Sequence, residues 1–250
     1  MKQHIITLLI VLLAASTAAN AQEFGKSKQF TIRLGYNIGG NAPLGLPASI
    51  RRINSYSPGF SPSLGFDCLV PIDTWRAFQV GLRIESKEMR EDATVKNYHM
   101  EIIKGDQILD GMFTGDEYSR ATQWIATMPI QAVFRVKRVN IKIGPYLSYL
   151  FHGEFEGYAH NGYLRVGNPT GAKVELGESE TERGNFDFSD KMSRLQVGLS
   201  IGADWRFSNR FGAYGELNLG TSNTFTNSFR TIEQILRPIY ASVGLTYRLR

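Results

Sequence analysis

Between residues 193 and 207 the chain alternates strictly. Leu195, Val197, Leu199, Ile201, Ala203, Trp205 and Phe207 fall on one side, and Arg194, Gln196, Gly198, Ser200, Gly202, Asp204 and Arg206 on the other. A period of two is the signature of a β-strand whose faces meet different surroundings. The last run repeats it, with Ile239, Ala241, Val243, Leu245, Tyr247 and Leu249 against Tyr240, Ser242, Gly244, Thr246 and Arg248. So does the first, with Phe30, Ile32, Leu34, Tyr36 and Ile38 against Thr31, Arg33, Gly35 and Asn37. Eight such runs are predicted in all: 29–38, 60–70, 75–85, 124–136, 139–151, 193–207, 211–220 and 239–249. Each is about the ten residues that a tilted strand needs to cross a bilayer. Pro62 interrupts the second and Pro129 the fourth, which also sets Ile125 and Val133 on its polar side. A proline inside a strand points to an edge or a bulge.

The connections alternate in length. Residues 71–74, 137–138 and 208–210 are tight turns, whereas 39–59, 86–123, 152–192 and 221–238 are long and polar. Short turns at one rim and long loops at the other are the plan of outer-membrane barrels, with the short turns in the periplasm. The predicted fold is therefore all-β: a closed antiparallel up-and-down transmembrane barrel of eight strands with long extracellular loops. Unstructured connections approaching 40 residues are uncommon inside compact soluble domains.

Alternation alone does not say which face is outside, because a soluble barrel has the opposite arrangement. Here the polar face mixes nine glycines (35, 65, 81, 144, 198, 202, 212, 220, 244) with Arg33, Arg83, Arg135, Lys142, Arg194, Arg206 and Arg248. Large and absent side chains together suit a narrow interior that has to be filled. The same face carries Asp67, Glu85, Asp204 and Glu216, and buried cations need such partners. Aromatics on the apolar face cluster at the strand ends. Trp205, Phe207, Phe211 and Tyr247 lie toward the short turns, and Tyr36, Phe60, Trp124, Tyr149 and Phe151 toward the long loops. That is the double girdle of a membrane barrel. Trp75 has the wrong parity and is assigned to a turn, while Cys68 falls on the lipid face.

Composition changes this picture little. Residues 1–21 read as a cleaved signal peptide, with Lys2, an apolar run from Ile5 to Ala15 and Ala19-Asn20-Ala21 as the cleavage site. The mature chain, 22–250, then forms one barrel domain. The apolar run of the leader is too short to span a bilayer, and no later segment approaches the roughly 18 to 20 apolar residues that a spanning helix needs. Removing Lys2 lowers the net charge from +5 to +4, with both signs scattered, which singles out no acidic partner. The single cysteine excludes an internal disulfide, and no Cys/His cluster has zinc-ligand spacing.

The sequence resembles the PorT-like outer-membrane β-barrel family of Bacteroidota. The resemblance rests on Met128-Pro129-Ile130-Gln131-Ala132-Val133-Phe134-Arg135-Val136, Ile143-Gly144-Pro145-Tyr146-Leu147-Ser148-Tyr149, Gln196-Val197-Gly198-Leu199-Ser200-Ile201-Gly202-Ala203 and Ser242-Val243-Gly244-Leu245-Thr246-Tyr247-Arg248. It covers the strands from about residue 28 onward and implies an eight-stranded barrel in the outer membrane. Such barrels usually close on an aromatic, whereas Leu249-Arg250 stands here. The family includes an accessory to protein secretion, so the resemblance implies an envelope or secretion protein as a conceivable partner.

The functional expectation is a structural or interaction scaffold that displays its loops, with a lumen plugged by side chains. A small-solute porin is the first alternative, and an outer-membrane acyl hydrolase the second. For the hydrolase, Ser148 and His152 are the candidates, on one face but roughly 13 Å apart at about 3.3 Å per residue, too far for a dyad. His99 and His160 lie in loops without a placed partner. Asp106, Asp110 and Asp116 lack the alternating spacing of a calcium loop. The Glu178, Glu180, Glu182, Arg183 run reads as a hydrated tip open to a basic partner. The glycines of 198–202 and 35–40 sit in or at the end of strands and open no phosphate-cradling helix. The expectation is no enzyme, no catalytic, metal or cofactor site and no cofactor, with outer-membrane lipid as partner. Nucleic acid is excluded because the arginines face the lumen.

Overall fold

A computed structural model describes residues 28–249 except 44, 46, 227, 228, 230 and 232–234. The leader at 1–21 and the terminal Arg250 lie outside the described residues. The strands are β1 (Gln29–Pro43), β2 (Ile50–Pro58), β3 (Pro62–Pro71), β4 (Arg76–Lys104), β5 (Gln107–Val136), β6 (Val139–Val166), β7 (Lys173–Leu176), β8 (Gly184–Asp187), β9 (Leu195–Arg206), β10 (Phe211–Gly220) and β11 (Leu236–Arg248), with one 3-10 turn at Ser189–Lys191. Eight of them close a ring in the order β1, β3, β4, β5, β6, β9, β10, β11. All of these pairs are antiparallel. β11 returns to β1 in a continuous register from Thr31↔Arg248 to Pro43↔Leu236. No described helix is long and apolar enough to cross a membrane, and the crossing is made by strands.

The eight predicted strands fall on the ring strands, and side-chain exposure decides their orientation. Arg33, Lys142 and Glu85 are 1, 0 and 1 % exposed, whereas Leu34, Leu64 and Leu245 are 61, 57 and 58 % exposed. An apolar outer surface of this extent is stable only against hydrocarbon. On β5 the girdle residues Trp124 and Phe134 are ten positions apart. At about 3.3 Å per residue and a tilt of about 40°, the band between them is about 25 Å tall, matching the apolar belt of outer-membrane barrels.

The two prolines are accommodated differently. Pro62 opens β3 and pairs with Tyr36 at its edge. Pro129 sits in the middle of β5 opposite Tyr146, and the β4–β5 pairing lapses between Val80↔Ile130 and Arg83↔Thr127 without a change of register. A missing N–H is thus absorbed as a gap in the ladder. Trp75 lies in the turn, as its parity requires, and its ring stacks on Phe134 at 6.1 Å, which adds it to the lower girdle. Ile125 and Val133 point inward, both fully buried.

The long connections differ from expectation. Residues 86–123 form no loop: β4 and β5 run 29 and 30 residues and turn only at 105–106. β6 continues to Val166, and β7 and β8 pair with it where β9 has departed. β2 joins the far side of β4. Polarity misled the sequence reading because outside the membrane an outward strand face is polar like a loop. The three long strands bend at one level, where β4 slips register between Val95 and Tyr98 and β5 between Thr114 and Asp116. Asn97 and Asn161 take the left-handed conformation there, with φ of 53° and 49°. Asparagine tolerates it at small cost. Beyond the bend the tip folds back until Ile103 meets Asn185 of β8.

The fold-back encloses an apolar core that includes Met100, Ile102, Phe113, Ala121, Ile125, Leu150, Phe155, Leu164, Phe186, Phe188, Met192, Phe225 and Leu236. Phe155 is its centre: it stacks on Phe188 at 6.4 Å and meets Phe225 edge-on at 5.0 Å. The chain is therefore a membrane barrel with polar contents below and a cap with apolar contents above, sharing three strands.

Candidate functional site

The inward positions of the spanning strands meet across the barrel axis as one ion-pair network. Arg33 of β1 lies 3.1 Å from Asp67 of β3, 3.4 Å from Asp204 of β9 and 3.6 Å from Glu216 of β10. Glu216 also takes both guanidinium nitrogens of Arg83 of β4 and lies 3.7 Å from Lys142 of β6. Lys142 reaches Asp204 at 2.8 Å, and Lys87 stands 3.7 Å from Glu85. Neutral side chains meet some of the remaining valences. Gln79 donates to Asp67 at 2.8 Å, Thr127 to Glu85 at 2.7 Å and Gln131 to Ser200 at 2.8 Å. Arg33 Nε and Nη2, Asp67 Oδ1, Arg83 Nε and Lys142 Nζ make no hydrogen bond, so these buried charges are held chiefly by pairing with one another.

The glycines of the polar face make the space. A Cβ on Gly35 would stand 2.0 Å from the Tyr214 hydroxyl, and one on Gly198 2.6 Å from the Tyr146 ring. Tyr214 in turn lies under the Arg33 guanidinium, 3.7 Å from ring centre to carbon. Above the central ions is a layer dominated by amides and hydroxyls, in which Asn37 accepts from Ser242 at 2.6 Å and Asn41 accepts from Gln123 at 3.2 Å and Thr224 at 3.1 Å, with charged Lys87 opposite Gln123.

Of the seven cations expected to line the interior, Arg33, Arg83 and Lys142 join the network. Arg135, Arg206 and Arg248 lie at the periplasmic mouth, and Arg194 is exposed just before β9 begins. Lys87 escaped the sequence reading because it lies past the predicted strand end, in a stretch where residues 85–89 are all buried.

Outside the membrane, Glu88 accepts from Arg90 at 2.8 Å and pairs with Arg120 at 3.2 Å. Burial opposes its ionisation, but these cations hold it below the usual carboxylate range. Glu117 is the reverse. It occupies an inward position of the extended β5, where burial and then the neighbouring Glu91 push its carboxyl up to about 7. Glu91 is itself raised by burial. Neither was singled out from sequence, since both fell in a segment read as loop.

The hydrolase candidates separate. Ser148 is buried inward and 2.9 Å from the Thr127 hydroxyl, whereas His152 is exposed and pairs with Glu154 at 3.3 Å. A bulge of β6 at Phe151 sets His152 opposite Trp124 and Leu150 opposite Ile125, so the two residues expected on one face lie on opposite faces. His99 and His160 are in strands and have partners. His99 contacts the Thr231 carbonyl at 2.9 Å and Asp110 at 3.1 Å, and His160 faces Asp92 at 3.8 Å. Asp106 is in the 105–106 turn, Asp110 is taken by His99 and Asp116 accepts from Thr94 at 2.7 Å, so the three do not converge. Among the described residues no group of three or more metal-ligating side chains gathers. Glu178 accepts from Asn161 at 2.9 Å and Glu180 lies 3.6 Å from Arg183, at the outer tip between β7 and β8. Cys68 is half-buried on the outer face.

A closed eight-stranded ring with lipid-facing leucines, charged contents and a folded outer cap defines an integral outer-membrane β-barrel. The family model described as outer membrane protein beta-barrel domain matches residues 20–226, and the chain belongs to that family. No curated protein matches the sequence. Solved structures similar to it include Ail, the attachment invasion locus protein of Yersinia pestis. That likeness has a TM-score of 0.36 at 8 % identity and covers 89 % of this chain and 97 % of that one. The translocator domain of the autotransporter NalP from Neisseria meningitidis has a TM-score of 0.26 at 10 % identity, covering 98 % and 96 %. The toluene transporter TbuX of Ralstonia pickettii has a TM-score of 0.21 at 6 % identity, covering 91 % and 90 %.

Proposed function

We propose that this outer-membrane barrel is a non-conducting scaffold whose work is done by the cap it holds outside the cell. One observation carries the reading: β4, β5 and β6 are nearly three times the length that a crossing needs, and the excess is folded around an apolar core. Ordered structure beyond the bilayer is superfluous for a channel and suited to presenting a surface. The buried ion network supports a closed lumen, because the interior of an eight-stranded barrel is only wide enough for side chains. The separation of Ser148 from His152 favours a binding role over a catalytic one. The resemblance to PorT-like barrels makes an envelope or secretion protein the favoured partner, and export by a cleaved leader supplies the route.

Planar-bilayer recording of the refolded mature chain tests the closed lumen. Silence is expected, and a stable unitary conductance overturns the scaffold reading in favour of a small-solute porin. The display role is tested by crosslinking from Ser55→Cys on the exposed strand β2 in intact cells. A discrete protein adduct supports it, and the absence of any adduct beyond that of a Cys68-only control counts against it. Lipid A is expected to be unchanged by mass spectrometry when the gene is removed. Loss of an acyl chain from lipid A only when the protein is present would instead mark a hydrolase.

A further inference from the structure

The middle of the lumen is balanced in charge, with Arg33, Arg83, Lys87 and Lys142 against Asp67, Glu85, Asp204 and Glu216. The periplasmic mouth is not. Arg135 is the last residue but one of β5, Arg206 ends β9 and Arg248 ends β11, in inward parity with buried Val133, half-buried Asp204 and buried Thr246 above them. Arg248 feels the positive charge of Arg206 and Arg135, and Arg135 that of Arg206. On the intervening strands Asn140 stands between Arg135 and Asp204, and uncharged Gly212 faces Arg206. Arg135 Nη2 and Arg206 Nε are buried with no hydrogen-bond partner; Arg33 Nε, Arg83 Nε and Lys142 Nζ also have none, but those side chains are paired with carboxylates. Arg248 donates to Gln29, a neutral side chain.

Nearby acids do not relieve this. Asp204 is one inward step above Arg206, and Lys142 and Arg33 both engage its Oδ1. Asp73 acts weakly on Arg135 from the 72–75 turn, where its oxygens are taken by Arg76 at 2.6 Å. Over the described residues at this end of the barrel (28–31, 69–78, 134–140, 205–212 and 246–249), Asp73 is the sole acid against eight Lys and Arg.

Buried N–H groups of a guanidinium are costly without an acceptor, and like charges held together raise the cost. A doubly charged oxyanion removes both penalties, since it accepts several charge-assisted hydrogen bonds and matches the planar guanidinium fork. We propose that the periplasmic mouth is a binding site for a phosphate-class oxyanion, held by Arg135, Arg206 and Arg248. The three point inside the ring of strands and not toward the surrounding headgroups, so the anion is a free periplasmic solute. The inference is independent of what the cap binds.

The full mature chain, refolded in an uncharged maltoside detergent, is titrated with inorganic phosphate at constant ionic strength. Binding is read by calorimetry and by phosphorus NMR line width. Saturable binding is expected, weakened roughly tenfold or more in R135Q/R206Q and nearly unchanged in the turn variant R138Q/R210Q. Heat-modified gel mobility reports folding. Should R135Q/R206Q fail to fold, R248K takes its place: it keeps the charge and loses the fork, so several-fold weakening is expected. Repeating the titration in phosphatidylglycerol nanodiscs separates the sources. Undiminished binding supports the free solute, and competition by the lipid overturns that source in favour of a headgroup phosphate. Failure to saturate, or equal weakening in the turn variant, shows a diffuse basic rim and overturns the site.

Discussion

Glu216 is the position at which the lumen is most vulnerable. Its carboxylate meets three cations: Arg83 through both oxygens, Arg33 at 3.6 Å and Lys142 at 3.7 Å. Glu216→Gln changes almost nothing in shape and removes the charge. Arg33 keeps Asp67 at 3.1 Å and Lys142 keeps Asp204 at 2.8 Å, so Arg83 is the group stranded. Breaking a buried ion pair from one side costs about 3–5 kcal/mol. The glutamine oxygen still accepts one hydrogen bond, which places the loss near the lower figure, roughly a hundredfold in the folding equilibrium. Reversible urea unfolding in detergent, followed by tryptophan fluorescence and heat-modified gel mobility, measures it. The double variant R83M/E216M removes both partners, and replacing a whole buried pair by apolar groups is often neutral. More than half of the loss is therefore expected to return. A single-variant cost below about 1 kcal/mol, or a double variant as unstable as the sum of the singles, refutes the view that charge pairing organises the interior.

The cap and barrel answer different perturbations. Phe155→Ala empties the centre of the cap core and is expected to cost about 3–5 kcal/mol. Outer segments become cleavable by added protease while the membrane-embedded strands keep their heat-modified mobility, and loss of both together contradicts two separately packed parts. Glu117 makes the cap sensitive to pH. Its carboxyl is raised from 4.5 to about 7 in the folded cap, so the native state holds the proton more tightly than the unfolded one. Cap stability is therefore fullest below about pH 4.5 and falls as pH rises through 7, by up to about 3 kcal/mol before partial exposure is allowed for. Glu117→Gln is expected to flatten that profile in hydrogen exchange of the cap amides, and an unchanged slope refutes the assignment. Gly35→Ala puts a methyl 2.0 Å from the Tyr214 hydroxyl, and a loss of about 1–3 kcal/mol in the urea titration is expected.

The barrel was legible because a bilayer imposes one rule on every spanning strand. Lipid outside and a crowded axis inside make alternation strict, and this is why β9 could be bounded to within two residues from Leu195 to Arg206. That cations and acids sharing the polar face could pair followed from parity alone. Proximity across the axis did not, so Arg135, Arg206 and Arg248 were placed on the same face without any sign that they stand outside the ion network at the end of the barrel. Ser148 and His152 show the limit of counting: one bulge at the outer rim reverses parity, and a separation of four residues no longer means a shared face.

The cap was illegible for a related reason. A strand that leaves the membrane must exchange the chemistry of its faces, since water replaces lipid outside and an apolar core replaces the ion network inside. On β5 the inward sequence passes from Gln131 and Thr127 to Ile125, Ala121 and Phe113, while the outward sequence passes from Phe134 and Trp124 to Arg120, Tyr118 and Asp116. Near the crossover the two patterns overlap, and Gln123 is buried two residues from buried Ile125. Averaged over a window, such a stretch has no period and reads as loop. The register slips beside Asn97 and Gly115 then shift the inward set from odd to even residues on β4, from Val95 to Met100 and Ile102. A search for strands that allows one reversal of polarity and one change of parity would recover 86–104 and 107–123 from sequence. The reversal itself marks the level at which a barrel strand emerges from the membrane.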